Sequence, residues 1–87
     1  MHFVFDEAKS RANKEKHGID FVKAQALWED PDRLCFQGKT GDEPRFIMVG
    51  QIGGKHWSAV FTFRGDATRL ISARGSRLLE VRAYESE

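Results

Sequence analysis

Three stretches of this chain, Arg45 to Ile52, His56 to Phe63 and Thr68 to Arg74, are rich in β-branched and aromatic residues and are separated by little more than Gly53-Gly54 and Gly65-Asp66. Short glycine-bearing links between such runs are hairpin signals, so the three stretches predict an antiparallel meander. If both loops hold two residues, Ile52 stands opposite Lys55 and Arg64 opposite Ala67, and side chains sort by parity. One face then carries Phe46, Met48, Ile52, Trp57, Ala59, Phe61, Phe63 and Leu70, the expected core. The other carries Ile47, Val49, Val60 and Ile71, with Arg45, Thr62 and Arg69 in a row at one end. A single bulge would break this sorting.

The remaining segments must cover that sheet. His2 to Phe5 reads as a short first strand, and Asp6 sits where an N-cap would satisfy the free amides of a helix running to His17, stopped by Gly18. Asp20 caps a second helix from Phe21 to about Glu29, with Phe21, Ala24 and Trp28 at helical spacing and Asp30-Pro31 as its stop. Residues 32–44 read as loop, or as one short edge strand around Leu34-Cys35-Phe36, because Gly38, Gly41 and Pro44 interrupt them. A last helix spans Ser76 to about Glu85. The expected class is α+β: an antiparallel meander, two N-terminal helices packed on one face, and a C-terminal helix.

At 87 residues the chain is expected to form one domain over 1–87, with a modest core and a site at its surface. Cys35 is alone, so a reducing compartment such as the cytoplasm is the simpler expectation, and no segment has the length and apolarity of a membrane span. Net charge is only +1, yet residues 45–77 hold a single carboxylate, Asp66, against Arg45, Lys55, Arg64, Arg69, Arg74 and Arg77. Guanidinium groups are always charged and offer a planar fork of donors matching phosphate oxygens, so this local excess points to a phosphate-rich partner, RNA first.

In the last helix Arg77, Glu80 and Tyr84 are three and four residues apart and share one sector. Metal-free RNA cleavage needs a base for the 2′-hydroxyl, cations for the charge building on phosphorus, and an acid for the leaving oxygen. Glu80 or His17 would be the base, Arg64, Arg69, Arg74 or Arg77 the stabilisers, and Tyr84 or a histidine the acid. Each has a structural alternative: Glu80 as an ion pair, Tyr84 at the core edge, and His17 with Lys16 completing a helix end. Lys9 and Lys16 lie on one helical stripe that would face phosphates if it bordered the basic row. His2, His17 and His56 are scattered, so neither metal nor cofactor is expected.

Over nearly its whole length the chain resembles the BrnT family of type II toxin–antitoxin systems. The resemblance is carried by Phe5-Asp6 with Lys9 and Asn13, Lys16-His17-Gly18-Ile19 with Phe21 and Ala24, Asp30-Pro31, Glu43 with Arg45, Gly50, and Thr62 with Arg64-Gly65. The block Arg69-Leu70-Ile71-Ser72-Ala73-Arg74, then Glu80 and Tyr84, completes it. It implies a RelE-like architecture and a ribonuclease toxin that halts translation until a BrnA-like ribbon-helix-helix antitoxin binds it; DNA is met only through that antitoxin. It implies roles for His17, Arg45, Arg64, Arg74, Glu80 and Tyr84 without assigning them. Phe5 stands where the family favours Trp, and Val81 where it favours Arg. The alternative is a catalytically weak binding module serving as antitoxin partner and co-repressor.

Overall fold

The computed structural model describes residues 1–39 and 41–86; Thr40, inside the expected loop, and Glu87 lie outside the described residues. The chain runs β1 (Phe3–Val4), α1 (Glu7–His17), α2 (Phe21–Ala24), a 3₁₀ segment (Gln25–Glu29), β2 (Leu34–Gln37), β3 (Phe46–Ile52), β4 (Lys55–Arg64), β5 (Ala67–Gly75) and α3 (Leu78–Glu85). The class is α+β, and the strands form one sheet in the order β1-β5-β4-β3-β2.

Both hairpins close on two residues, the loop length on which the expected sorting was conditional. Gly53 and Gly54 take φ values of 59° and 81°, the left-handed pair of a type I′ turn, and Gly65 takes 59° at the first central position of the second turn. Ile52 therefore pairs with Lys55 and Arg64 with Ala67. Strict parity holds throughout the β3–β4 pair, where Phe46 faces Phe61 and Met48 faces Ala59.

In the second hairpin the register shifts between Val60 and Phe61: Phe61 pairs with Leu70 but Val60 with Ser72, leaving Ile71 as an extra residue on β5. Beyond the bulge every β5 side chain changes face relative to strict alternation. Ala73 comes opposite Ala59 and joins the core, and Arg74 comes opposite Ser58 on the other face. Ser72, and not Ile71, is the residue opposite Val60.

Four further expectations are corrected. The sheet is mixed, because β1 pairs in parallel with β5, Phe3 with Thr68 and Val4 with Arg69. No hairpin fixes the direction of β1; α1 to β4 lie between it and β5, so it can satisfy the open β5 edge in parallel. The second helix is α-helical only to Ala24 and tightens to 3₁₀ geometry, which turns Leu27 fully inward and leaves Trp28 half-buried, edge-on to Phe3 and Phe61 at 5.0 Å. Phe63, placed in the core by parity, is 55% exposed beside Phe46 and Phe61, one residue before the end of β4 at the hairpin turn. The last helix begins at Leu78, two residues later than Ser76. The stretch left open as loop or edge strand forms β2, antiparallel to β3.

Ile19, Phe21, Ala24 and Leu27 pack with Met48, Trp57, Ala59, Phe61, Leu70 and Ala73 to form the core. Each large apolar side chain buried there contributes about 1.5–3 kcal/mol. The helix-to-sheet join is polar and specific. Asn13 Nδ2 donates to the carbonyls of Ile19 and Ala73, both at 2.8 Å, and its Oδ1 accepts from the Ala73 N–H at 3.2 Å. The amide thus bonds β5 where β1 no longer reaches, substituting for a strand. Ser10 accepts the Phe21 N–H at 2.9 Å and binds α1 to α2.

Asn13→Leu keeps volume but strands one buried N–H and two carbonyls, so it should destabilise the protein by about 2–4 kcal/mol. Thermal melting is then expected to fall by about 10 °C or more; an unchanged midpoint would remove Asn13 from this role.

Candidate functional site

The bulge at Ile71 places Arg74 on the face across which α3 lies, and the turn at Ser76-Arg77 brings Glu80 back over it. Arg74 grips Glu80 through two parallel bonds, Nη1 to Oε1 at 2.7 Å and Nη2 to Oε2 at 2.9 Å. Oε1 also accepts from the Ser58 hydroxyl at 2.9 Å and from the Arg77 N–H at 2.8 Å, while Ser58 bonds Ser76 at 2.8 Å. The bond from Arg74 outweighs burial and, with the Arg77 and Ser58 bonds, brings the Glu80 carboxyl down from 4.5 to about 2. The same bond raises the Arg74 guanidinium above its usual range. Glu80 in this geometry is a permanent anion that fixes Arg74 and the start of α3, and it is a poor proton acceptor near neutral pH.

Tyr84 lies one turn further along α3, at the opposite pole of charge. Its hydroxyl donates to Asp30 Oδ2 at 2.7 Å, and that bond pushes the phenol up to about 12. Asp30 also accepts the Gln51 N–H at 2.8 Å and the Asp32 N–H at 2.8 Å. Burial pushes the Asp30 carboxyl up, and these donors together overcome it to leave the group below its usual value. Gly50 allows the approach, since a Cβ there would meet Asp30 Oδ2 and a Leu27 methyl at 3.1 Å. The His56 ring stands edge-on to Tyr84 at 5.2 Å, contacts Gln51 at 3.1 Å and reaches Glu85 at 3.6 Å. Glu29, Asp30 and Asp32 line the hollow beside Tyr84, an environment that repels phosphate.

Cations gather elsewhere. One hollow between the start of α1 and β5 is lined by Asp6, Lys9, Glu43, Arg45 and Arg69. A wider one beside it is lined by Lys39, Asp42, Glu43, Arg45 and Arg64, and a third by Lys39, Arg45, Ile47, Val60 and Arg77. Arg45 belongs to all three. It is held there by its backbone: its carbonyl accepts the Gly38 N–H at 2.8 Å, and the preceding Pro44 carbonyl accepts the hydroxyl of buried Thr62, the partner of Arg69 in the sheet. Arg64 reaches Glu43 at 3.4 Å.

The ten residues singled out in the sequence thus fall into four places. Lys9, Arg45, Arg64, Arg69 and Arg77 share the cationic rim; Arg74 and Glu80 form the bolt behind Arg77; Tyr84 joins Asp30; Lys16 and His17 sit at the far end of α1 and line none of these hollows. Sequence reading missed Asp30 and Glu43 as site-shaping groups. Asp30 was visible as a helix stop, and both it and Glu43 as residues that carry the family resemblance, neither with an assigned role. Among the described residues no three His, Cys, Asp or Glu converge as metal ligands would, and no helix is long and apolar enough to cross a membrane.

A small α+β sheet protein with arginines concentrated on one rim, backed by a part-buried Arg–Glu pair, has the features of an RNA-directed protein. The family model of the ribonuclease toxin BrnT of type II toxin–antitoxin systems matches residues 5–80, and the chain belongs to that family. No curated protein matches the chain.

The Glu80 carboxyl has a lower value folded than unfolded, so its stabilising contribution is complete above 4.5 and disappears as the pH falls toward about 2. Melting midpoints should decline through that window, and Glu80→Gln should lower the midpoint at neutral pH while flattening the decline. An equally steep acid decline in the variant would place the dependence on other carboxylates.

Proposed function

We propose that this BrnT-family chain is a metal-independent endoribonuclease, RelE-like in architecture, that acts in the cytoplasm, stops translation by cutting RNA, and is neutralised by a BrnA-like ribbon-helix-helix antitoxin. The observation that carries the reading is the sharing of Arg45 by three adjoining hollows that also receive Lys9, Arg64, Arg69 and Arg77. Cations spaced along the three hollows suit a strand of consecutive phosphates, and the fork geometry of arginine suits a phosphoryl group gaining charge. Arg74 and Glu80 contribute by holding the first turn of α3, and with it Arg77, against the rim. Protonation of the leaving oxygen is left to water or to a cation of the rim, since Tyr84 is committed to Asp30.

A second reading is favoured by Leu78 and Leu79, 64% and 76% exposed on the first turn of α3. Exposed leucines beside a cationic rim suit an antitoxin segment that is apolar on one side and acidic on the other, so the chain would serve as antitoxin partner and co-repressor whether or not it cuts.

Purified protein should cleave RNA in EDTA. Arg45→Ala should reduce the rate about 10-fold or more while melting within about 3 °C of the parent, because the side chain is exposed. Activity that vanishes in EDTA and returns with a divalent cation would overturn the metal-free reading. Full activity in Arg45→Ala would move the site away from the rim.

A further inference from the structure

We propose that Glu43 is the general base of this site, a role that rests on the ribonuclease reading above. The reaction needs a proton acceptor within reach of the 2′-hydroxyl of a nucleotide whose phosphate lies on the cations, and a carboxylate serves that role without giving up a phosphate-binding cation. Glu80 is saturated by Arg74, Ser58 and the Arg77 N–H, and His17 lies at the far end of α1. Three carboxylates remain along the rim. Asp6 is occupied as the α1 cap, accepting the Lys9 N–H at 3.1 Å, and Asp42 lines only the wider hollow. Glu43 lines both hollows that contain Arg45 beside Arg64 or Arg69.

Its placement is fixed on both sides. Pro44 restricts Glu43 to extended backbone, the Pro44 carbonyl is bonded to Thr62, and Glu43's own carbonyl accepts the Gly41 N–H at 3.5 Å. The side chain is one-third exposed at 32% and meets Arg64 at 3.4 Å through Oε2, so the carboxylate is oriented yet reachable by substrate. With the scissile phosphate on Arg45 and Arg64, Glu43 takes the 2′-hydroxyl proton as the 2′-oxygen bonds to phosphorus. The P–O5′ bond breaks, and the 5′-oxygen leaves with its electron pair and takes a proton from water. The hydroxide so formed recovers the proton from Glu43, leaving a 2′,3′-cyclic phosphate, a 5′-hydroxyl and the carboxylate restored.

Removing this charge separates two roles by sign. If Glu43 only neutralises Arg64, Glu43→Gln frees a cation, and both RNA affinity and cutting hold or rise. If Glu43 is the base, affinity holds or rises while cutting falls about 10²-fold or more. The test uses the full chain and one labelled messenger transcript, free and on translating ribosomes, with binding, cleavage, product ends and melting read for the parent, Glu43→Gln and Glu43→Asp. Expected are cyclic-phosphate ends from the parent, the opposed changes in Glu43→Gln, and partial recovery in Glu43→Asp. Parental cutting with Glu43→Gln within about threefold of it would overturn the assignment and leave the ribonuclease standing, since a lost base costs far more. So would loss of cutting in step with lost affinity or a lowered melting point. No cutting by the parent in either setting would overturn both.

Discussion

One extra residue, Ile71, sets the phase of the last strand, and most of the specific contacts in the molecule depend on it. Without the bulge Arg74 would face the apolar layer formed by Met48, Ala59 and Phe61, where an unpaired charge costs several kcal/mol or more. With it, Ala73 takes that position and Arg74 meets Ser58 and Glu80 on the other side. The same slip leaves the Ala73 N–H and carbonyl directed away from β4, where Asn13 takes both. A local irregularity thereby attaches α1 along one edge and α3 across one face. The Arg74–Glu80 pair survives burial because every exposed lone pair of Oε1 has a donor, the condition under which a desolvated ion pair can hold.

The charges are sorted by position more than by number. Net charge is +1, yet the rim around Arg45 and the hollow around Tyr84 carry opposite signs at separate parts of the sheet. Screening lengths of about 8 Å in physiological salt keep such patches distinct, so a polyanion experiences the rim and not the average. Arg74 contributes little to that field, since its charge is cancelled in place by Glu80.

Much of this was legible in the sequence, for identifiable reasons. The strands, both hairpin turns and the start and stop of α1 rest on local chemistry: glycine at positive φ, aspartate at an N-cap, alternation in the runs. The β1 pairing was not legible, because parallel association follows from an edge left open by the rest of the fold. Nor was the bulge, since Leu70 to Arg74 fits strict alternation about as well as the shifted register. For the site, the cations of the rim could be read because arginines on adjacent strands converge once the register is known. The division among Glu43, Glu80 and Tyr84 could not, because it depends on partners remote in the chain, Ser58 for Glu80 and Asp30 for Tyr84, and on which face the bulge turns Arg74 to.

That division follows from supply and demand among donors. Glu80 is the carboxylate of α3 that sits over a buried serine and a re-phased arginine, so the fold consumes its basicity; Asp30 is consumed in the same way by Gln51, Asp32 and Tyr84. Both belong to the packing face of α3 or to what that face touches. The leucines of α3 point to solvent, and Glu80 and Tyr84 are its buried residues. A helix attached by polar side chains uses up their proton chemistry in attaching. Chemistry is then left to groups on elements fixed by their backbones, which is the condition of Glu43 and Arg45 between Gly38 and Thr62.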